Sequence, residues 1–411
     1  MAVPSYDETP VMFFEYDGYY GHSYGPCARA YEDSAHITVI RKSDLEGSSV
    51  VDLSAYRFKT WEDGLTNKCG DKMISVELAS TGQNPVYLDL HQTAVRATAA
   101  PSNGAYIASV SYDSQVIIQY IDRPIRKVFG PFPHEDTFSS LSVSCDGNIL
   151  VAGTDPHPQF PHILKIATSD GSYDMIDIPQ DGTMISLFLY DSGKKLTYVT
   201  APNKLFFFDL ELRQVTNSQQ ALGTFIVSAA ASPQVKFIAT ATARNEADAN
   251  SVESCGLTIF DQQGNKTLVH QFEDCRSSFL AKMAFLTEDC LALCLPVGEM
   301  WKWKWSPEKS QWTIEEKLRI ESGQFSAVEC SQDGKMLWLS VGKKLMAIDT
   351  ATGRTVREQK FDIAEPKSKS WVQPITVIKI IPAKELLAVG FQDGRIALVP
   401  VPKTLAPDLP D

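Results

Sequence analysis

Residues 385–402 read ELLAVGFQDGRIALVPVP. Two short apolar runs, 386–391 and 396–401, flank the turn Gln392-Asp393-Gly394-Arg395. β-rich runs on either side of an Asp-Gly are the strongest short-range signal for a hairpin. The second run ends at Pro402, which cannot donate a hydrogen bond to a continuing ladder. A lone hairpin is marginal in water, so this one must stack on others like it. A third apolar run, 374–381, precedes it. The unit is therefore strand a (374–381), strand b (385–391) and strand c (395–401).

Six more copies lie upstream. Strand a of each opens near residues 94, 138, 184, 225, 279 and 324, with the last copy at 374, so the copies are spaced 41 to 54 residues apart. Most a–b turns carry the same chemistry: Ser102-Asn103-Gly104, Cys145-Asp146-Gly147, Asp191-Ser192-Gly193 and Gln332-Asp333-Gly334. A four-strand repeat of about 40–45 residues is the period of a propeller blade. No stretch sustains a helical period, which argues against a parallel α/β architecture. The fold class expected is all-β: a single β-propeller of seven blades, each of four antiparallel strands.

The repeat resembles the WD-repeat propeller family. Phe208-Asp209, Phe260-Asp261 and Ile348-Asp349 stand at the ends of c strands, where that family keeps its Trp-Asp pair. His91 and His134 precede a strands, at the place of the family's histidine. Asp113 and Asp393 occupy b–c turns, at the place of the aspartate that supports it. The resemblance covers about residues 91–404. It implies the propeller fold; quinoprotein-like and YVTN-type propellers share the geometry. Function does not follow from such a fold.

Residues 1–84 are read as an N-terminal extension or extra blade, 85–404 as the propeller closed by an N-terminal strand, and 405–411 as a tail. Two closures compete. In one, 85–90 supplies the outer strand of the last blade and the ring has seven blades. In the other, 36–90 forms an eighth blade and 11–16 closes the ring. The run 72–79, paired with 85–90 around Thr81-Gly82, favours eight. Gly21-His22, among Tyr19, Tyr20 and Tyr24, reads as a loop.

The chain has 411 residues, a hydrophobic fraction of 44% and a net charge of −12. The charge argues against nucleic acid as the main partner. No run approaches a membrane span. The N-terminus, MAVPSYDETP, lacks the apolar core of a secretory signal, so an intracellular location, cytoplasmic or nuclear, is expected. The eight cysteines form no C-x-x-C pair and are expected to be reduced.

In such blades the b–c and d–a connections leave one face of the disc. The three clearest insertions, 154–162, 243–255 and 362–373, fall on that face. Long loops on a rigid scaffold commonly carry function. The candidate contact residues are Trp371 with Lys367 and Lys369, Phe160 and His157 in the first loop, and Glu246 and Asp248 in the second. His157, His162 and Asp155 have metal-ligand chemistry, but Pro156, Pro158 and Pro161 suggest a stiff turn instead. In 300–305, MWKWKW, Trp301, Trp303 and Trp305 alternate with Lys302 and Lys304. The tryptophans are expected to pack between blades, with Glu315 and Glu316 as candidate partners for the lysines. No G-x-S-x-G, H-E-x-x-H or P-loop is present, and no cofactor or catalytic residue is implied. The expectation is a non-catalytic, WD-repeat-like scaffold of the eukaryotic kind, binding protein partners in a larger complex. The alternatives are a lactonase-like hydrolase with a metal in the channel, or a lectin-like ligand binder.

Overall fold

The computed structural model describes residues 85–401, except 123–124, 133–136, 155–161, 180–181, 224, 244–254, 273–280 and 364–373, together with the backbone of six strands between Pro10 and Leu78. Seven antiparallel blades follow one another in the chain. Their innermost strands are Val95–Ala99, Phe138–Val143, Met184–Tyr190, Phe225–Ala231, Lys282–Thr287, Phe325–Cys330 and Ile375–Ile381. Each innermost strand touches the next, and the seventh touches the first, so the blades form a ring.

The last blade takes its outer strand from the start of the propeller. Val86–Asp89 pairs antiparallel with Arg395–Pro400, with Leu88 opposite Ile396 and Tyr87 opposite Ala397. The ring therefore closes with seven blades, and the eight-blade alternative is overturned. Ile74–Leu78 does not pair with this strand; its partner is Tyr56–Thr60. Pro10–Tyr16 pairs with Tyr19–Tyr24 and Ile37–Arg41 in a three-stranded sheet, so Gly21-His22 lies in a strand rather than a loop. Ser49–Val51 adds a fifth strand to the outer edge of the first blade, against Ile125–Phe129.

Burial explains the strand sequences. Second strands such as Phe237–Ala243 are buried along their whole length, because both faces meet neighbouring blades. Outer strands such as Gln214–Gln220 alternate exposed and half-buried residues. The core consequently lies between blades. Tyr106, Phe129, Phe138 and Leu150 join blades 1 and 2, and Phe361, Phe391 and Val399 join blades 6 and 7.

The a–b turns show how local chemistry fixes each hairpin. In blade 2 the Asp146 carboxylate accepts from Ser144 Oγ and from Asn148 N at 3.1 Å, while Ile149 N donates to Ser144 Oγ. Blade 6 repeats this with Ser331, Asp333, Lys335 and Met336. Gly147 and Gly334 hold the left-handed position, at φ +78° and +72°. Blade 4 has Ser232-Pro233-Gln234-Val235 instead and lacks the aspartate. The next blade supplies the missing carboxylate: Glu288 accepts from Ser232 Oγ, from Gln234 N at 2.9 Å and from Lys236 N at 3.2 Å. Val235 occupies the glycine position at φ +56°, which is costly for a β-branched residue.

Glu288→Ala should therefore lower stability by about 1–2 kcal/mol, a value reduced from three charge-assisted bonds because two are solvent-exposed. Glu288→Gln, which keeps one acceptor, should lose less. Urea denaturation of the two variants checks the order.

The aspartates that end c strands also shape turns. Asp209 Oδ1 accepts from Glu211 N and Leu212 N, Asp261 Oδ1 from Gln263 N and Asn265 N, and Asp349 Oδ1 from Ala351 N and Thr352 N. Each side chain thus nucleates the c–d turn that follows it.

Candidate functional site

The ring encloses a central channel with two mouths. At one, the b–c and d–a connections emerge; at the other, the a–b and c–d turns. The seven innermost strands form its wall. They carry four charged residues: Arg96, Lys282, Glu329 and Lys379.

Towards the a–b mouth the wall surrounds a cavity of about 470 Å³, within the ~300–1,000 Å³ common for ligand sites. Phe188, Ala230, Met283, Phe285 and Val328 give it an apolar lining. Its charged groups are Glu329 and Lys379, from neighbouring blades, which form an ion pair at 2.6 Å. Cys330 is also on the wall; burial pushes its thiol well above the usual range, and the thiol donates to Leu286 O and Ser331 O. A thiol held neutral in this way is a packing group rather than a nucleophile.

The other mouth begins with His91, in the connection from the ring-closing strand to the first blade. Its Nδ1 meets Asp113 Oδ2 at 2.9 Å and its Nε2 meets Ser109 Oγ at 2.8 Å. Asp113 also accepts from Gln92 N at 3.1 Å. The pairing of His91 with Asp113 is the one the family resemblance implies. The atoms run in the order of a hydrolase triad, but Ser109 is 0% exposed and lies in mid-strand, out of reach of any substrate. The network clamps the closing connection onto blade 1. Asp393 behaves differently: it binds Arg395, at 2.9 Å from Nε and 2.6 Å from Nη2. His134 lies outside the described residues.

Next to this clamp, Arg96 sits at a break in the register of its strand, between Val95 and Ala97. Bulges of this kind re-aim a side chain. Its guanidinium lies 4.6 Å from the centre of the Tyr112 ring, and both residues are exposed. Lys282, across the ring in blade 5, is enclosed by protein yet still reached by solvent. Burial, and secondarily the Arg96 charge, hold its ammonium below the usual lysine range.

The tryptophan strand of blade 5 behaves as expected for an interface. Trp303 and Trp312 are buried with Phe237, Phe272 and Phe285 between blades 4 and 5, and Trp301 and Trp305 pack on them. Lys302 pairs with Glu316 at 2.9 Å. Lys304 takes Asp289 at 2.9 Å rather than Glu315, because the a–b turn of its own blade reaches back to it.

Trp371, Lys367, Lys369, Phe160, His157, Glu246 and Asp248 all lie outside the described residues, as does Asp155. His162 is the buried first residue of a c strand. Among the described residues no three His, Cys, Asp or Glu side chains come together as metal ligands, and no helix is long and apolar enough to cross a membrane. Cys145, Cys290, Cys294 and Cys330 are free thiols, whereas Cys255 is disulfide-bonded, which corrects the expectation that every cysteine is reduced. Compared with known proteins, the sequence matches no family model and no curated protein.

Proposed function

We propose that the protein is a non-catalytic interaction scaffold that binds a protein partner through the face where the b–c and d–a connections emerge. One observation carries the reading: the longest connections within the ring, 244–255, 272–281 and 361–374, all join strands at that face. The ring behind them is closed by a strand from its own beginning. A frame closed in this way loses little further freedom on association. Trp371, flanked by Lys367 and Lys369, is the proposed anchor, since aromatic residues concentrate binding energy.

Replacing 364–373 with a Gly/Ser segment of equal length should reduce recovery of the bound partner about ten-fold or more in affinity capture followed by mass spectrometry. The melting temperature should stay within about 2 °C of the parent, because loop composition contributes little to a buried core. Undiminished recovery from that variant and from matching variants of the other two loops would refute the reading.

A further inference from the structure

The channel wall is cationic in a chain whose net charge is −12. Of its four charged residues three are cations, and its single acid, Glu329, is bound to Lys379. Arg96 and Lys282 are left over. Neither has a carboxylate partner among the described residues, although cations elsewhere on the propeller do: Lys302 with Glu316, Lys304 with Asp289, Lys344 with Glu321 and Lys384 with Asp122. Both residues stand at the beginning of an innermost strand, one in blade 1 and one nearly opposite in blade 5, so both face the mouth that carries the long connections. They are close enough for one charge to act on the other. The remaining innermost strands begin with uncharged residues, FSS, MIS, FIV, FSA and ITV, so no wall group offsets them there.

A largely enclosed ammonium with a second cation acting on it is unfavourable unless an anion joins them. Low-dielectric walls of one sign also focus the field on the axis. The Arg96 guanidinium lies over the Tyr112 ring, and the N–H groups of a guanidinium match an oxyanion in a fork geometry.

We propose that this mouth of the channel binds an oxyanion, a carboxylate or a phosphate group, held between Arg96 and Lys282. The inference rests on the scaffold reading only for where a carboxylate would come from, namely an acidic residue of the partner. The binding event itself needs no partner.

The test is calorimetric titration of the full chain at low ionic strength, where screening is weak, with inorganic phosphate and separately with glutarate. The parent, Lys282→Met and Arg96→Gln are compared. The parent should bind at least one probe saturably at one site, and each variant should bind it about ten-fold or more weakly. Saturation by phosphate alone identifies the site as one for phosphate groups; saturation by glutarate alone identifies it as one for acidic side chains. Lys282→Met should melt at or above the parent temperature, because it removes an uncompensated charge. Absence of saturable binding by either probe, equal binding by the parent and Arg96→Gln, or a clearly lower melting temperature for Lys282→Met would each overturn the proposal. Loss of partner capture in the loop variants, with no anion binding by the parent, would remove this site and leave the scaffold reading intact.

Discussion

Trp312→Ala should cost about 3–5 kcal/mol, the usual penalty for emptying a large aromatic site in a core. Trp312 is 5% exposed. Its ring lies 5.1 Å from Phe237, 5.7 Å from Trp305 and 6.2 Å from Phe285, centre to centre, and its Nε1 donates to Thr267 Oγ1 at 3.2 Å. Phe237 and Thr267 belong to blade 4, so the side chain ties the outer strand of blade 5 to its neighbour. A cavity there separates two blades and cannot be filled by one strand relaxing alone. Trp303 supplies an internal control. It is equally buried, but its Nε1 has no acceptor among the described residues. Trp303→Phe discards an unsatisfied donor, whereas Trp312→Phe breaks a hydrogen bond, so the first substitution should be the milder. Guanidinium denaturation of the three variants measures the differences. A Trp312→Ala cost below about 1 kcal/mol would mean that the blades do not meet through this ring.

Much of the ring was readable in the sequence because a propeller repeats one local solution. Strand alternation and the Asp-Gly or Asn-Gly turns act within a dozen residues and recur from blade to blade. Six of the seven innermost strands begin within one residue of the expected positions; Lys282–Thr287 begins three later. The tryptophan strand was readable for the same reason, since period-2 alternation alone sends Trp303 inward and Lys302 to Glu316. What escaped depends on contacts between blades. Glu288 completes a turn in the preceding blade, and no spacing rule links it to Ser232. Asp289 reaches Lys304 because the turn folds back, where a cross-strand rule would have chosen the next strand. Arg96 and Lys282 come to the same mouth of the channel only because the ring sets the innermost strands of blades 1 and 5 around a common axis. Short polar-flanked strands such as Ser49–Val51 and Ile74–Leu78 choose partners by tertiary position, and their own residues do not encode it.

Closure is the joint on which the rest depends. Without Val86–Asp89, Arg395–Pro400 would become an exposed, apolar sheet edge and the ring would have two free ends. Leu88 is 1% exposed and packs with Ile107, Ile117, Ile396 and Leu398. It therefore joins blade 7 to blade 1 as well as closing the sheet. Burial of a leucine at this depth contributes about 1.5–3 kcal/mol. A carboxylate in its place would add several kcal/mol of desolvation, whether it stays charged or takes up a proton. The channel, the opposed cations and the common face of the long connections all require the closed ring.

Differential scanning calorimetry of Leu88→Asp against the parent chain tests this most directly. Closure predicts a loss of at least about 4 kcal/mol, seen as a melting temperature lowered by more than about 5 °C or as a broadened transition from a ring that has opened. A sharp transition at the parental temperature would show that Val86–Asp89 is not the seventh blade's outer strand, and would contradict the account.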